Sequence, residues 1–413
     1  MTILGGEDER LRGSEQQNSL NELAVDMDNI LAAWDWAIKQ RKYELIRRAA
    51  RSIGLFFEAA GLFQEGIEQL EPLVQALHSE LRNDELYKLL GLALLQQGLL
   101  YFRKGQFVRA EGCYKESIAV LRSTSDQALL ADALTFLGII TYLNGEYAQS
   151  RNLLGEGLEC ARASNAKWFE AYAIHSLGYI DSLMGDYQKG YEQMLAGLDM
   201  WRVIGDPHYI ALGLNFLTPT IIKLGDYEEA TAFVWESITL CEKAKNRWRM
   251  GTAYRYLGSV SLAEGQYAEA QAHFHNSLEV FGEYTEGWDI ALSWYYLGEA
   301  AMMEGNLTEA RNNFLIALRT SFDANSIPIA IDSLLGLAQL YLQDGELERV
   351  LELSYYILNH PSSTQEAKNL ALQLRAQLEV HLTHQEIELV QQRSGAKTFT
   401  TIVNDILRQT GNA

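Results

Sequence analysis

Few residues in this chain are spaced for bond-making chemistry. His273 and His275 are two apart, so a helix would point them in different directions. His381 and His384 could share a helix face, but no third metal ligand accompanies them. Cys113, Cys160 and Cys241 are far apart and fit no zinc spacing; they read as small buried residues in a reducing compartment. Gly395-Ala396-Lys397-Thr398 ends like a phosphate-binding loop, yet it lacks the earlier glycine and follows no strand. There is no His-Glu-x-x-His pair and no Gly-x-Ser-x-Gly elbow. No catalytic residue, cofactor or metal ion is therefore expected. The chemistry left is recognition. Polar and aromatic residues recur at a step of 40: His175, Asn215, Arg255 and Tyr295 in one column, Tyr179, Pro219, Ser259 and Glu299 in another. Tyr142, Tyr172 and Lys223 lie on the same stripe. Apolar walls with a few polar groups that fix orientation make a binding surface.

The elements that carry this stripe follow from a glycine. Gly105, Gly145, Gly185, Gly225, Gly265, Gly305 and Gly345 are each 40 residues after the last, and Gly61 adds a copy with a longer spacer. Each opens a short phrase such as Gly145-Glu146-Tyr147 or Gly265-Gln266-Tyr267. A period of this size means stacked supersecondary units rather than one core. Before Gly105, Leu94, Gly98 and Tyr101 have helical spacing; after it, Phe107, Ala110, Tyr114 and Ile118 do. The unit is helix, tight turn, helix. Five residues after the turn come Ala110, Ser150, Gly190, Ala230, Ala270 and Ala310, and twelve after it Ser117, Gly157, Gly197, Ser237, Ser277 and Ala317. These small columns predict close helix approach. Tyr114, Leu154, Met194, Val234, Phe274 and Phe314 fill the space between them. Asp226 with Glu229, and Asn306 with Glu309, fit capping boxes. Leu217-Thr218-Pro219-Thr220-Ile221 places a proline inside a helical pattern, where it removes a backbone donor to Asn215.

Gly98, Tyr101, Gly105, Phe107 and Ala110 resemble the tetratricopeptide repeat, and Gly138, Gly178, Gly258 and Gly298 repeat its first-helix glycine. The usual unit is about 34 residues, so the longer period here resembles the long-repeat subgroup. The resemblance implies an all-α, right-handed superhelical solenoid of about eight helix pairs. It places the stripe of Tyr142, Tyr172, His175, Tyr179, Asn215, Pro219, Lys223, Arg255, Ser259, Tyr295 and Glu299 in the concave groove. The family's Lys/Asn/Arg carboxylate clamp is incomplete. Trp168, Trp248 and Trp288 mark the starts of first helices, either packing under a linker or forming an aromatic edge for partners.

The expected divisions are 1–43, a lead-in and capping helix; 44–359, the repeats; and 360–413, a helical cap. Asp28-Asn29-Ile30-Leu31-Ala32-Ala33-Trp34-Asp35-Trp36-Ala37 resembles the helix that opens the C-terminal sensor of STAND-type signal-transduction ATPases in bacteria. The end is similar too: an amphipathic helix from Gln365 to Leu382, a capping box at Thr383 and Glu386, a break at Gly395, and a helix lined by Ile402, Val403, Ile406 and Leu407. That family's Walker loop is absent, so an ATPase domain would lie upstream, outside this chain. The implied partners are a protein, a peptide or a small-molecule effector, with a free-standing scaffold as the alternative and an enzyme as the remote one.

Net charge is −20, which argues against nucleic acid and against an anionic membrane. Arg41, Lys42, Arg47, Arg48 and Arg51 form a local basic cluster, by default a solvated face. No run of 18 apolar residues and no apolar leader in Met1–Glu15 is found, so a cytoplasmic location is expected.

Overall fold

A computed structural model describes residues 7–80, 83–243, 247–282, 287–378 and 397–409, together with 385, 387, 390, 392 and 393. Among the described residues every regular element is an α-helix. The lead helices are α1 (Glu7–Leu11) and α2 (Gln16–Lys39). Eight pairs follow: α3 (Tyr43–Ala60) with α4 (Phe63–His78), α5 (Asp84–Arg103) with α6 (Phe107–Leu121), α7 (Gln127–Leu143) with α8 (Tyr147–Ala163), α9 (Lys167–Leu183) with α10 (Tyr187–Ile204), α11 (Pro207–Leu224) with α12 (Tyr227–Lys243), α13 (Arg247–Ala263) with α14 (Tyr267–Phe281), α15 (Trp288–Glu304) with α16 (Leu307–Asp323), and α17 (Ile327–Gln343) with α18 (Leu347–Asn359). Then come α19 (Gln365–Leu378) and α20 (Phe399–Gln409).

The eight predicted glycines are the turns within these pairs, with φ between +71° and +94°. An L residue there would bring its Cβ against the following carbonyl, so glycine sets the reversal at the same place in every pair. The Asp226 cap forms, Glu229 N–H donating to Asp226 Oδ1 at 3.0 Å. At Asn306 only the forward half of the box forms, Glu309 N–H reaching Oδ1 at 3.4 Å; the Asn306 backbone N–H donates to the Ala301 carbonyl at 2.9 Å, and Glu309 Oε2 accepts from the Asn306 side-chain amide at 2.6 Å.

The packing columns interlock as knob and hole. Tyr114, Leu154, Met194, Val234, Phe274 and Phe314 are all fully buried. Phe274 fills the space above Gly258, where a Cβ would lie 2.6 Å from the ring, and Phe314 fills that above Gly298 at the same distance. The first-helix glycine is thus the absence of a side chain that the second helix's ring needs. Ser117 and Ser150 in the small columns donate to the carbonyls of Gly91 and Gly138 at 2.9 and 2.7 Å, tying the helices of a pair together.

Contacts divide the chain into two compact units. One takes in Met1–Thr141, Ala148–Gly178 and Glu192–Gly213; the other Tyr142–Tyr147, Tyr179–Tyr191 and Leu214–Ala413. In the first, α2 lies on α3 and α4, and its Trp34 is fully buried, donating from Nε1 to the Gln69 carbonyl at 2.9 Å. In the second, α12 packs on α13, α14 on α15 and α16 on α17, each pair continuing into the next. There α19 covers α17 and α18, and Leu374, Leu378, Ile402, Val403 and Ile406 join the core of the last pairs. The loop after α18 comes back onto the Gly145 turn, where Ser362 Oγ donates to the Asn144 carbonyl at 3.0 Å. The helix expected to Leu382 is described as far as Leu378; His381, His384, the Thr383–Glu386 box and Gly395 lie outside the described residues. No described helix is long and apolar enough to cross a membrane.

Candidate functional site

The first helices of the pairs carry the predicted stripe; six of its eleven members are buried, and these differ in whether their polar groups find partners inside the fold. In the first unit, Tyr172 and His175 on α9 are core residues rather than a groove wall. Tyr172 is buried among Phe136, Trp168, Trp201 and Tyr209, with ring centroids 5.3–5.6 Å away. His175 stacks on Trp201 at 5.1 Å, and its Nε2 meets the Gly213 carbonyl at 3.3 Å. Burial pushes its pKa down to about 4 against the pull of that carbonyl, so it is neutral at pH 7. The reason is lateral: α9 and α11 lie side by side, and the residue facing the neighbour is lost to the interior.

In the second unit the stripe is denser. Tyr142 and Tyr179 meet edge to face at 5.6 Å, Tyr179 meets Phe216 at 4.9 Å, and Phe216 meets Tyr256 at 6.5 Å, so an aromatic row runs from one first helix to the next. Asn215 is 1% exposed, and neither its Nδ2 nor its Oδ1 has a hydrogen-bond partner. Pro219 is half-buried one turn later, inside a helix that stays continuous to Leu224. Having no N–H, it leaves the Asn215 carbonyl without its usual helical donor.

Arg255 is fully buried. Its Nη2 donates to Asp289 Oδ1 at 3.0 Å, while Nε and Nη1 have no partner. Trp248 Nε1 donates to the other Asp289 oxygen at 3.1 Å. Burial drives Asp289 up from its ordinary pKa, with Arg255 opposing. Arg255 also lies over the Tyr256 and Trp288 rings at 4.9 and 5.5 Å. Ser259 is buried and bonds back to the Arg255 carbonyl at 3.1 Å, which spends its hydroxyl on its own helix.

Tyr295 and Glu299 are half-buried, and Glu299 belongs to an acidic group the stripe did not contain. Burial and the Glu366 charge push Glu299 up to about 7, with Lys223 and Tyr295 opposing. Burial, Glu366 and Glu299 do the same to Asp332, also to about 7. Lys223, exposed, pairs with Glu366 of α19. Asp332 had a sequence signal, since it sits at the 40-residue phase of Tyr172, as does Asp132. Glu366 had none, because it lies beyond the repeats. Among the described residues no three His, Cys, Asp or Glu side chains are arranged to hold a metal ion. What the arrangement offers chemically is a set of unpaired donors and an acceptor at Asn215 and Arg255, beside an aromatic row.

Residues 89–163 match the tetratricopeptide repeat family. No curated protein matches the chain in sequence. Among solved structures it is similar to a Rap protein complexed with Competence and Sporulation Factor, at 16% identity and a TM-score of 0.56, over 87% of this chain and 99% of that one. It is similar to NprR in complex with its cognate peptide NprX, at 13% identity and 0.56, over 86% and 98%. It is also similar to a STAND protein with a tetratricopeptide repeat sensor from Pyrococcus horikoshii, at 15% identity and 0.51, over 94% of this chain and 55% of that one. Residues 89–163 are therefore tetratricopeptide repeats, and the chain has the all-α tetratricopeptide-repeat fold.

Proposed function

We propose that the chain binds an extended peptide along the first helices of its second unit, as the sensor arm of a signalling regulator. The observation that carries this is Asn215. A buried amide without partners costs about 1–3 kcal/mol per unsatisfied group, so sequences rarely keep one idle. An asparagine side chain offers one acceptor and two donors, which match the N–H and C=O of a peptide backbone. The Asn215 carbonyl, which Pro219 deprives of its usual helical donor, adds an acceptor on the same turn. Arg255 Nε and Nη1 supply donors one repeat further on. Tyr179 and Tyr295 give apolar edges, and Glu299 and Lys223 set charge. Two of the similar structures hold a factor or a peptide, and the third names its repeats a sensor, which supports peptide sensing over scaffolding.

The test is selection from a random peptide library on the full chain. Enriched peptides should bind the Asn215→Ala variant about tenfold or more weakly, equivalent to about 1.4 kcal/mol, with unchanged circular dichroism. Equal binding to both proteins would sink the assignment.

A further inference from the structure

The segment Glu7–Ser14 crosses the first unit instead of capping one pair. Asp8 lines a cleft of about 420 Å³ with Arg47, Arg48 and Arg51 of α3 and Lys88 of α5. Leu11 is buried. The Arg12 guanidinium carbon lies 4.3 Å from the Trp168 ring centroid and 5.1 Å from that of Phe169, both on α9. Ser14 lies near the Gly205 turn that precedes α11, its Cβ 4.0 Å from where a Cβ at Gly205 would sit. Eight residues thus pack on α3 and α9, share a cleft with α5 and end near the turn before α11. A chain that crosses successive repeats follows the route of a ligand on a repeat surface.

The pocket under Arg12 is complete without it. Trp168 donates from Nε1 to Asp206 Oδ2 at 3.1 Å and is braced by Tyr209 and Tyr172 at 4.4 and 5.4 Å. Asp132 is bound by Arg51 Nη1 at 3.0 Å, and Glu58 by Arg103 Nε at 2.8 Å. Arg12 itself has no carboxylate within ion-pair distance among the described residues. Ring faces hold it, with Asp132 and Glu58 adding negative potential from a distance. Burial and the neighbouring Arg51 hold its pKa below the ordinary arginine value, so the charge is not gaining a strong partner there. Removing Arg12 would strand no buried group. It is an occupant, not a structural tie.

We propose that Trp168, Phe169, Asp132 and Glu58 form a recognition pocket for an arginine side chain of an incoming peptide, and that Arg12 is the internal arginine which such a peptide displaces. The guanidinium plane suits the Trp168 ring face, and Asp132 and Glu58 offset part of the cost of burying the charge beside Arg51. Apparent affinity for the incoming peptide is reduced by the fraction of molecules in which Arg12 fills the pocket. This site stands apart from the reading at Asn215, and either can fail alone.

The probe is a labelled peptide copying Glu7–Ser14, followed by fluorescence anisotropy with the full chain. The Arg12→Ala chain should bind it about tenfold more tightly than the unaltered chain. A peptide with alanine in place of its second arginine should not show the gain. N-acetyl-arginine amide should compete the probe from the Arg12→Ala chain, and N-acetyl-lysine amide should not. If circular dichroism shows Arg12→Ala to be unfolded, Arg12→Lys serves, with a smaller gain in the same direction. Equal affinity in the unaltered and substituted chains, or equal binding of the alanine peptide, overturns the proposal.

Discussion

Arg255 and Asp289 form an ion pair in which both residues are buried to 2% exposure or less, and the arginine keeps two nitrogens free. Such a pair is weak evidence for stability, because the desolvation of two charges offsets much of their attraction. Breaking one side is another matter. Asp289→Ala would leave Arg255 charged and buried and take the acceptor from Trp248. The expected loss is about 3–5 kcal/mol in urea unfolding. A loss under about 1 kcal/mol would mean that the pair is solvated in solution.

The knob-and-hole packing makes a sharper prediction. A methyl on Gly298 would sit 2.6 Å from Phe314, whose ring also lies 2.6 Å from a Cβ placed at Gly336. Gly298→Ala should cost about 1–3 kcal/mol by overpacking. Phe314→Leu should recover part of that loss in the double variant, although alone it destabilises. Strictly additive effects in thermal or urea melts would show that the two residues do not meet.

Glu299 and Asp332 give the second unit a pH dependence. Both are pushed up to about 7, chiefly by burial and then by neighbouring carboxylates. The folded state holds their protons more tightly than the unfolded chain does. Their contribution is therefore fully present below about pH 4 and is lost as pH rises through about 7. Glu366→Gln removes a charge that raises both. The drop in unfolding free energy between pH 5 and pH 8 should be smaller in that variant than in the unaltered chain. Parallel stability profiles would place the three carboxylates too far apart to interact.

What was legible in the sequence is what repetition forces. A left-handed turn at Gly265 admits little but glycine, and a ring at Phe274 needs a hole at Gly258, so both recur in phase. The stripe was legible only as a column. Position on a column cannot say whether a side chain faces the groove or the neighbouring first helix, and both occur: His175 ends against Gly213, whereas Tyr295 and Glu299 stay half-exposed. Glu366, Ser362 and Arg12 could not be found by phase at all. They come from segments outside the repeats, and only tertiary packing brings them to Lys223, Asn144 and Trp168. The tryptophans at the starts of first helices proved to be donors: Trp168 to Asp206 and Trp248 to Asp289.

Pro219 separates stability from function most cleanly. In the interior of α11 it costs about 3 kcal/mol relative to alanine, through the missing N–H and the clash with the Asn215 carbonyl. Pro219→Ala restores the helical bond to that carbonyl. The variant should unfold at higher urea, by as much as about 3 kcal/mol if the turn relaxes fully. Peptides selected on the unaltered chain should bind it more weakly, because one of the two groups that Asn215 offers is then taken. Gain of stability with loss of binding is the trade expected where a sequence keeps a local fault for recognition. Should the variant gain stability and bind as before, the free carbonyl plays no part, and recognition at this turn would rest on the Asn215 side chain alone.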